Sequence, residues 1–176
     1  MEDTAKRQLR AYMSVTDGIL EIRPDGLVRP RFVMLDCGQT PAYDLVALKS
    51  YTTTEWDQRD SLPILDATPS ASKGILAPNN RRIVKFTEST LPSEVMSALQ
   101  MGAKILVIYG SITYRDIFGD VYRLEFQMIH GGPNGWKFPD HHIGVWRTRF
   151  RMDSIGNREY RIEQPDRQSN SDQNPN

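Results

Sequence analysis

Lys104 to His130, KILVIYGSITYRDIFGDVYRLEFQMIH, is the stretch whose reading decides the fold. Its first half is rich in Ile, Val and Tyr and apolar on both alternating sets, which suits a central strand covered on both faces. From Val121 the residues alternate. Tyr122, Leu124, Phe126 and Met128 share one face, and Arg123, Glu125 and Gln127 the other, as in a half-buried strand. Between the halves, Asp116-Ile117-Phe118-Gly119-Asp120 carries the chemistry of a three-residue hairpin loop. Gly119 adopts the left-handed conformation without a Cβ clash, and Asp116 turns its carboxylate onto the loop amides.

This turn sets the register. With Asp116 opposite Asp120, Tyr114 faces Tyr122, Ile112 faces Leu124, Gly110 faces Phe126 and Ile108 faces Met128. Every pair on that face is apolar or aromatic against glycine, and a slip of one residue would mix the two faces. Phe126 over Gly110 is an aromatic ring covering bare backbone.

Outward from the hairpin, the chain reads as short strands punctuated by turns. Leu9–Thr16 and Ile19–Arg23 are predicted strands flanking an Asp17-Gly18 turn. Pro24-Asp25-Gly26 is a second turn. Arg31–Cys37, Tyr43–Thr53 and Arg82–Thr87 are further strands, with an irregular excursion from Glu55 to Lys73. Leu91, Val95, Met96 and Leu99 fall at helical spacing, so one short helix precedes the central strand, capped by Ser89 or Thr90 and closed by Gly102. His142–Met152 is a strand with Trp146, Thr148 and Phe150 on one face. Asp153-Ser154-Ile155-Gly156-Asn157 repeats the earlier turn chemistry, so Asp153 and Gly156 are expected to close a second hairpin onto Glu159–Glu163. That pairing sets Phe150 against Tyr160, Arg151 against Glu159 and Arg147 against Glu163.

The predicted class is mainly β: an antiparallel, immunoglobulin-like β-sandwich of about eight to ten strands with one short helix. Residues 1–10 form a charged, helix-compatible lead-in, 11–163 the sandwich, and 164–176 a polar tail expected to be disordered. At 176 residues, one domain is expected, large enough to bury a core without staples.

Charge and composition limit the function. With 22 basic and 22 acidic side chains, no global field draws in nucleic acid or anionic lipid. Cys37 is the single cysteine, so no internal disulfide forms, and its place in an apolar strand predicts a buried thiol. No apolar run reaches the roughly 18 residues of a membrane span. The first residues lack a signal-peptide core, so the chain as written is expected in the cytoplasm.

The stretches Arg7-Gln8-Leu9-Arg10-Ala11-Tyr12, Gly38-Gln39-Thr40-Pro41-Ala42-Tyr43 and Tyr109 through Gly119 resemble a group of bacterial proteins. Their members usually carry one or two N-terminal transmembrane helices, then a charged segment ending in an RQLRAY-like stretch, then a β-sandwich. The likeness covers roughly Lys6 to Met128. It implies the fold, and membrane association where an anchor precedes the sandwich. The group has no assigned activity, so no catalytic residue carries over.

Three stretches offer candidate sites. Trp136 and Phe138, after the Gly131–Gly135 loop, form an aromatic pair able to contact a glycan or peptide, or to fold under as a small core. His141 and His142, with His130, are the sole metal-like cluster, but adjacent strand residues point to opposite faces and no HExxH spacing occurs. Arg147, Arg149 and Arg151 form a basic stripe, which Glu159 and Glu163 are expected to neutralise. No nucleophile elbow or placed carboxylate pair is present. The expectation is therefore a non-catalytic interaction or assembly module without cofactor, whose partner is another protein or a second copy, not nucleic acid.

Overall fold

A computed structural model describes residues 2–23, 25–63, 65, 73–133, 146–152 and 158–162. The central hairpin has the expected register. Strand β7 (Ile105–Arg115) pairs antiparallel with β8 (Val121–His130), and Tyr114 faces Tyr122, Ile112 faces Leu124, Gly110 faces Phe126 and Ile108 faces Met128. Gly119 takes φ +88°, and its N–H donates to the Asp116 carbonyl at 3.2 Å. Asp116 Oδ1 accepts from the amides of Phe118 and Asp120 at 2.9 and 3.0 Å. A Cβ on Gly110 would overlap the Leu48 carbonyl and fall 2.9 Å from Phe126 Cζ, so strand spacing and ring cover both require glycine there.

The chain is mainly β, built as two antiparallel sheets packed as a sandwich. In one, β1 (Met13–Ile22) and β2 (Leu27–Asp36) are central, flanked by β5 (Arg81–Lys85) and β9 (Trp146–Arg149), with β6 (Ser89–Thr90) also on β2. In the other, β7 lies between β8 and β3 (Ala42–Thr54). Beyond β3 comes β4 (Gly74–Leu76), and beyond β8 come β10 (Arg151–Met152) and β11 (Arg158–Ile162). Leu20, Phe32 and Met34 of the first sheet close on Ile108, Ile112, Phe126 and Met128 of the second. The Phe32 and Phe126 ring centres are 4.7 Å apart across the layer. Each such large apolar side chain contributes about 1.5–3 kcal/mol by leaving water.

Several sequence expectations are corrected. Asp17-Gly18 is not a turn between two strands. β1 runs through it as a bulge, with Asp17 at φ +47° and the register to β2 shifting between Thr16 and Ile19. Ser89 and Thr90 do not cap a helix. They pair with Val28 and Leu27, and helix α2 begins at Ser93 (Ser93–Gln100) after Pro92, with no side-chain cap bond. The lead-in is helical, α1 (Glu2–Leu9), in keeping with its helix-compatible sequence. Cys37 is exposed, because β2 ends at Asp36 and the chain turns outward.

The polar face of β8 is not open to water throughout. A 3-10 turn, Trp56–Ser61, and Leu62 lie against Ile105, Val107 and Ile129, and Gln127 is buried with Nε2 donating to the Arg59 carbonyl at 3.2 Å.

The largest departure concerns the second hairpin. Residues 153–157, with Asp153 and Gly156, lie outside the described residues, as does the tail from 163. Their flanks do not pair with each other. β9 pairs with β1 in the first sheet, whereas β10 and β11 both run antiparallel to β8 in the second. Arg151 faces Ile129, Arg158 faces Glu125 and Ile162 faces Val121. The crossing point is Phe150. Its N–H donates to the Gly18 carbonyl at 2.8 Å, and a Cβ on Gly18 would come within 2.6 Å of Met128 Sδ and 2.8 Å of Phe150 Cβ. The bulge at Asp17-Gly18 thus makes the niche that holds Phe150 between the sheets, and the strand that carries it changes layer there.

Candidate functional site

Three stretches far apart in sequence, around Arg10, Gly38 and Tyr114, meet at one end of the sandwich. Asp36 is fully buried at the end of β2, and its Oδ1 accepts the amides of Gly38 and Tyr12 at 2.9 and 3.3 Å. The Cys37 N–H donates to the Tyr12 carbonyl at 2.7 Å. A Cβ on Gly38 would fall 2.5 Å from the Arg10 carbonyl and 2.6 Å from the Tyr12 nitrogen, so the two segments touch backbone to backbone. Burial raises the Asp36 pKa above the ordinary carboxylate range, and the amide bonds only partly offset it.

On this support sits Arg10. Its guanidinium carbon lies 4.0 Å from the Tyr12 ring centre and 4.4 Å from that of Tyr122, a cation between two π faces. Its Nη2 donates to Glu159 Oε2 at 2.7 Å. Burial works against the Arg10 charge, but the bond to Tyr122 and the Glu159 carboxylate outweigh it and raise its pKa. Glu159 Oε1 accepts from the Tyr114 hydroxyl, which also lies 3.2 Å from the Ala11 carbonyl. Tyr114 stacks on Tyr122 with ring centres 5.5 Å apart. Burial first, and the Glu159 bond second, push the Tyr114 pKa well above that of free tyrosine.

Above this floor opens a cleft of about 470 Å³. Arg7, Phe118, Tyr160 and Arg161 stand on its rim, with Asp116 and Asp120 from the hairpin turn. Phe118 is 40% exposed and Tyr160 41%. Arg161 pairs with Asp120 at 2.5 Å, and the Tyr160 hydroxyl donates to Glu125 Oε1 at 2.8 Å. Burial and that bond raise the Tyr160 pKa. Two half-exposed aromatic rings and the Arg7 guanidinium thus line one opening.

The expected site residues fare differently. Asp116 and Gly119 form the predicted turn, and that turn is also one wall of the cleft. His130 ends β8 with its ring edge-on to Phe150 at 5.9 Å and Nδ1 3.2 Å from the Arg149 carbonyl, so it closes the seam beside Phe150. Trp136, Phe138, His141 and His142 lie outside the described residues. Among the described residues no group of three His, Cys, Asp or Glu side chains gathers as metal ligands, and no helix is long and apolar enough to cross a membrane. Glu159 does not stand opposite Arg151 across a hairpin, because Arg151 pairs with Ile129 and Glu159 with Leu124. The pairing of β11 with β8 turns it to Arg10 and Tyr114 instead.

The sequence singled out Arg10, Tyr12 and Tyr114 as parts of motifs, but nothing local marked Glu159 as their partner. Only the docking of β11 on β8 brings it there. No family model, no curated protein and no solved structure matches the chain.

Proposed function

We propose that this chain is a non-catalytic β-sandwich module for interaction or assembly, and that it takes a protein partner at the cleft lined by Phe118 and Tyr160. The observation that carries this reading is the engagement of the floor. Arg10 and both oxygens of Glu159 are bonded within the chain, as is the Tyr114 hydroxyl. A general acid or base needs a proton that moves near the working pH, and the surroundings of Tyr114 push its proton the other way. What faces outward is instead two half-exposed aromatic rings and arginine, the side chains that anchor protein interfaces. The resemblance to membrane-anchored bacterial proteins would put such contacts at a membrane surface where an anchor precedes the sandwich.

The test is selection of a displayed peptide library on the wild-type protein, with counter-selection on a Phe118→Ser, Tyr160→Ser double variant. Peptides that bind wild type and lose at least tenfold in affinity for the variant support the reading. Enrichment of peptides indifferent to both substitutions, or turnover of a small substrate abolished by Glu159→Gln, would overturn it.

A further inference from the structure

Strand β3 is long, and β4 covers little of it. On one side β3 pairs with β7 from Tyr43 to Thr54. On the other, β4 meets it only at Ala42 and Leu45. Among the described residues no strand pairs with that second side from Val46 onward, and no backbone hydrogen bond outside the sheet ladders reaches 46–54. The open run is Lys49-Ser50-Tyr51-Thr52-Thr53-Thr54-Glu55. It holds neither Gly nor Pro and carries three threonines before Glu55, which favour strand pairing.

An unpaired strand of this kind is a template for another chain unless a charge blunts it. Lys49 is that charge. Its Nζ lies 5.8 Å from the Phe86 ring centre, and among the described residues neither it nor the exposed Glu55 forms an ion pair. A partner strand that sets an apolar or basic residue opposite Lys49 leaves that charge unmatched. One register avoids this. If the run pairs antiparallel with itself about Thr52, Thr52 meets its own copy, Tyr51 meets Thr53, Ser50 meets Thr54 and Lys49 meets Glu55. A two-fold axis makes each contact twice, so both lysines gain a carboxylate.

The edge of β5 shows the opposite design. Its exposed residues are Arg81, Arg82, Ile83 and Lys85, and pairing about Ile83 sets Arg81 against Lys85, like against like. That edge repels a second copy, whereas the β3 edge matches one.

We infer that β3 is the self-association edge of this protein, joining two copies antiparallel about Thr52 into one continuous sheet with Lys49–Glu55 pairs on either side of the axis. This names one partner within the assembly reading. The cleft lies by Asp116, while Thr52 pairs with Val107 towards the other end of β7, so the two surfaces are tested apart.

Sedimentation of the full chain over a concentration series is the measurement. A dimer is expected. Lys49→Glu or Glu55→Lys alone weakens it by about tenfold or more, and the two together restore it to within about threefold. In a Cys37→Ser background, Thr52→Cys cross-links to its own copy on oxidation, because the two Cβ atoms face each other, whereas Leu48→Cys does not. A monomer up to about 0.5 mM, a dimer indifferent to Lys49→Glu, or no rescue by the charge swap would each overturn the inference. Phe118→Ser and Tyr160→Ser leave the dimer unchanged, so failure of the cleft reading is read separately.

Discussion

The β7–β8 hairpin and the C-terminal ribbon carry the same turn chemistry, an Asp followed three residues later by Gly and then Asp or Asn, yet only in the first do the flanking strands pair with each other. In the hairpin both strands have their partners beside them, and Gly119 closes the turn with Tyr114 on Tyr122. In the ribbon Phe150 enters the niche at Gly18 and pulls the chain from one sheet to the other, and β11 then continues along β8. Both segments could gain the same turn. What differs is a competing long-range contact, and a buried aromatic outweighs cross-strand charge pairs worth about 0.2–1 kcal/mol each.

Five substitutions break or sharpen that contrast. Gly110→Val strikes the hairpin hardest. Its side chain would overlap the Leu48 carbonyl, which cannot move away without separating β3 from β7, and would crowd the Phe126 ring of β8. The expected outcome is loss of the folded state, read by circular dichroism, since total stability is about 5–15 kcal/mol. A soluble variant with native near-ultraviolet signal would show that the close approach is not required.

Phe150→Ala strikes the ribbon instead. It should cost about 3–5 kcal/mol, and hydrogen exchange should show β9 and β10 losing protection while β7 and β8 keep theirs. Uniform loss across both sheets would mean that Phe150 is an ordinary core residue and not the clasp of the ribbon.

Glu159→Gln and Tyr114→Phe probe the place where the two segments are joined. Glu159→Gln should cost about 1–3 kcal/mol, because it leaves Arg10 without its counter-charge. Tyr114→Phe carries a pH signature. The fold raises the Tyr114 pKa, so the folded state keeps a proton that the unfolded chain releases near pH 10. That contribution is fully present below about pH 10 and is lost as pH rises towards the folded value. In urea titrations the stability gap between wild type and Tyr114→Phe should therefore narrow above about pH 10. A gap that widens there would reverse the assigned direction.

The smallest effect is expected at Gly119→Ala. A Cβ there meets nothing within 4 Å, so only the left-handed backbone at φ +88° resists it, at about 1 kcal/mol. A larger loss would show that the turn is coupled to the cleft it borders.

The hairpin was legible because its signals are local. Alternation from Val121, the Asp116 and Gly119 turn residues and the glycine under Phe126 all agree on one register within a short span. Asp17-Gly18 reads as a turn in the sequence because the same dipeptide serves turn and bulge, and only Met128 and Phe150 crowding in explain why the strand widens there. Ser89 and Thr90 have the side chains of a cap, yet β2 offers their backbone a ladder, which a sequence window cannot reveal. The cleft was half legible. Arg10, Tyr12, Gly38 and Tyr114 stood out as motif residues, but Glu159 and Asp36 gain their roles from distant partners.

By itself the sequence determined the period of its strands, the place and geometry of the Gly119 turn, the neutrality of the chain and the mainly β class. Each of these follows from side-chain alternation and backbone freedom within a few residues. Tertiary structure alone decided which sheet each late strand joins, that Phe150 carries the chain between layers, and that Arg10, Tyr114 and Glu159 share one buried network. Those choices depend on which surfaces are left uncovered once the first strands have packed, and contacts across more than a hundred residues leave no mark on local pattern.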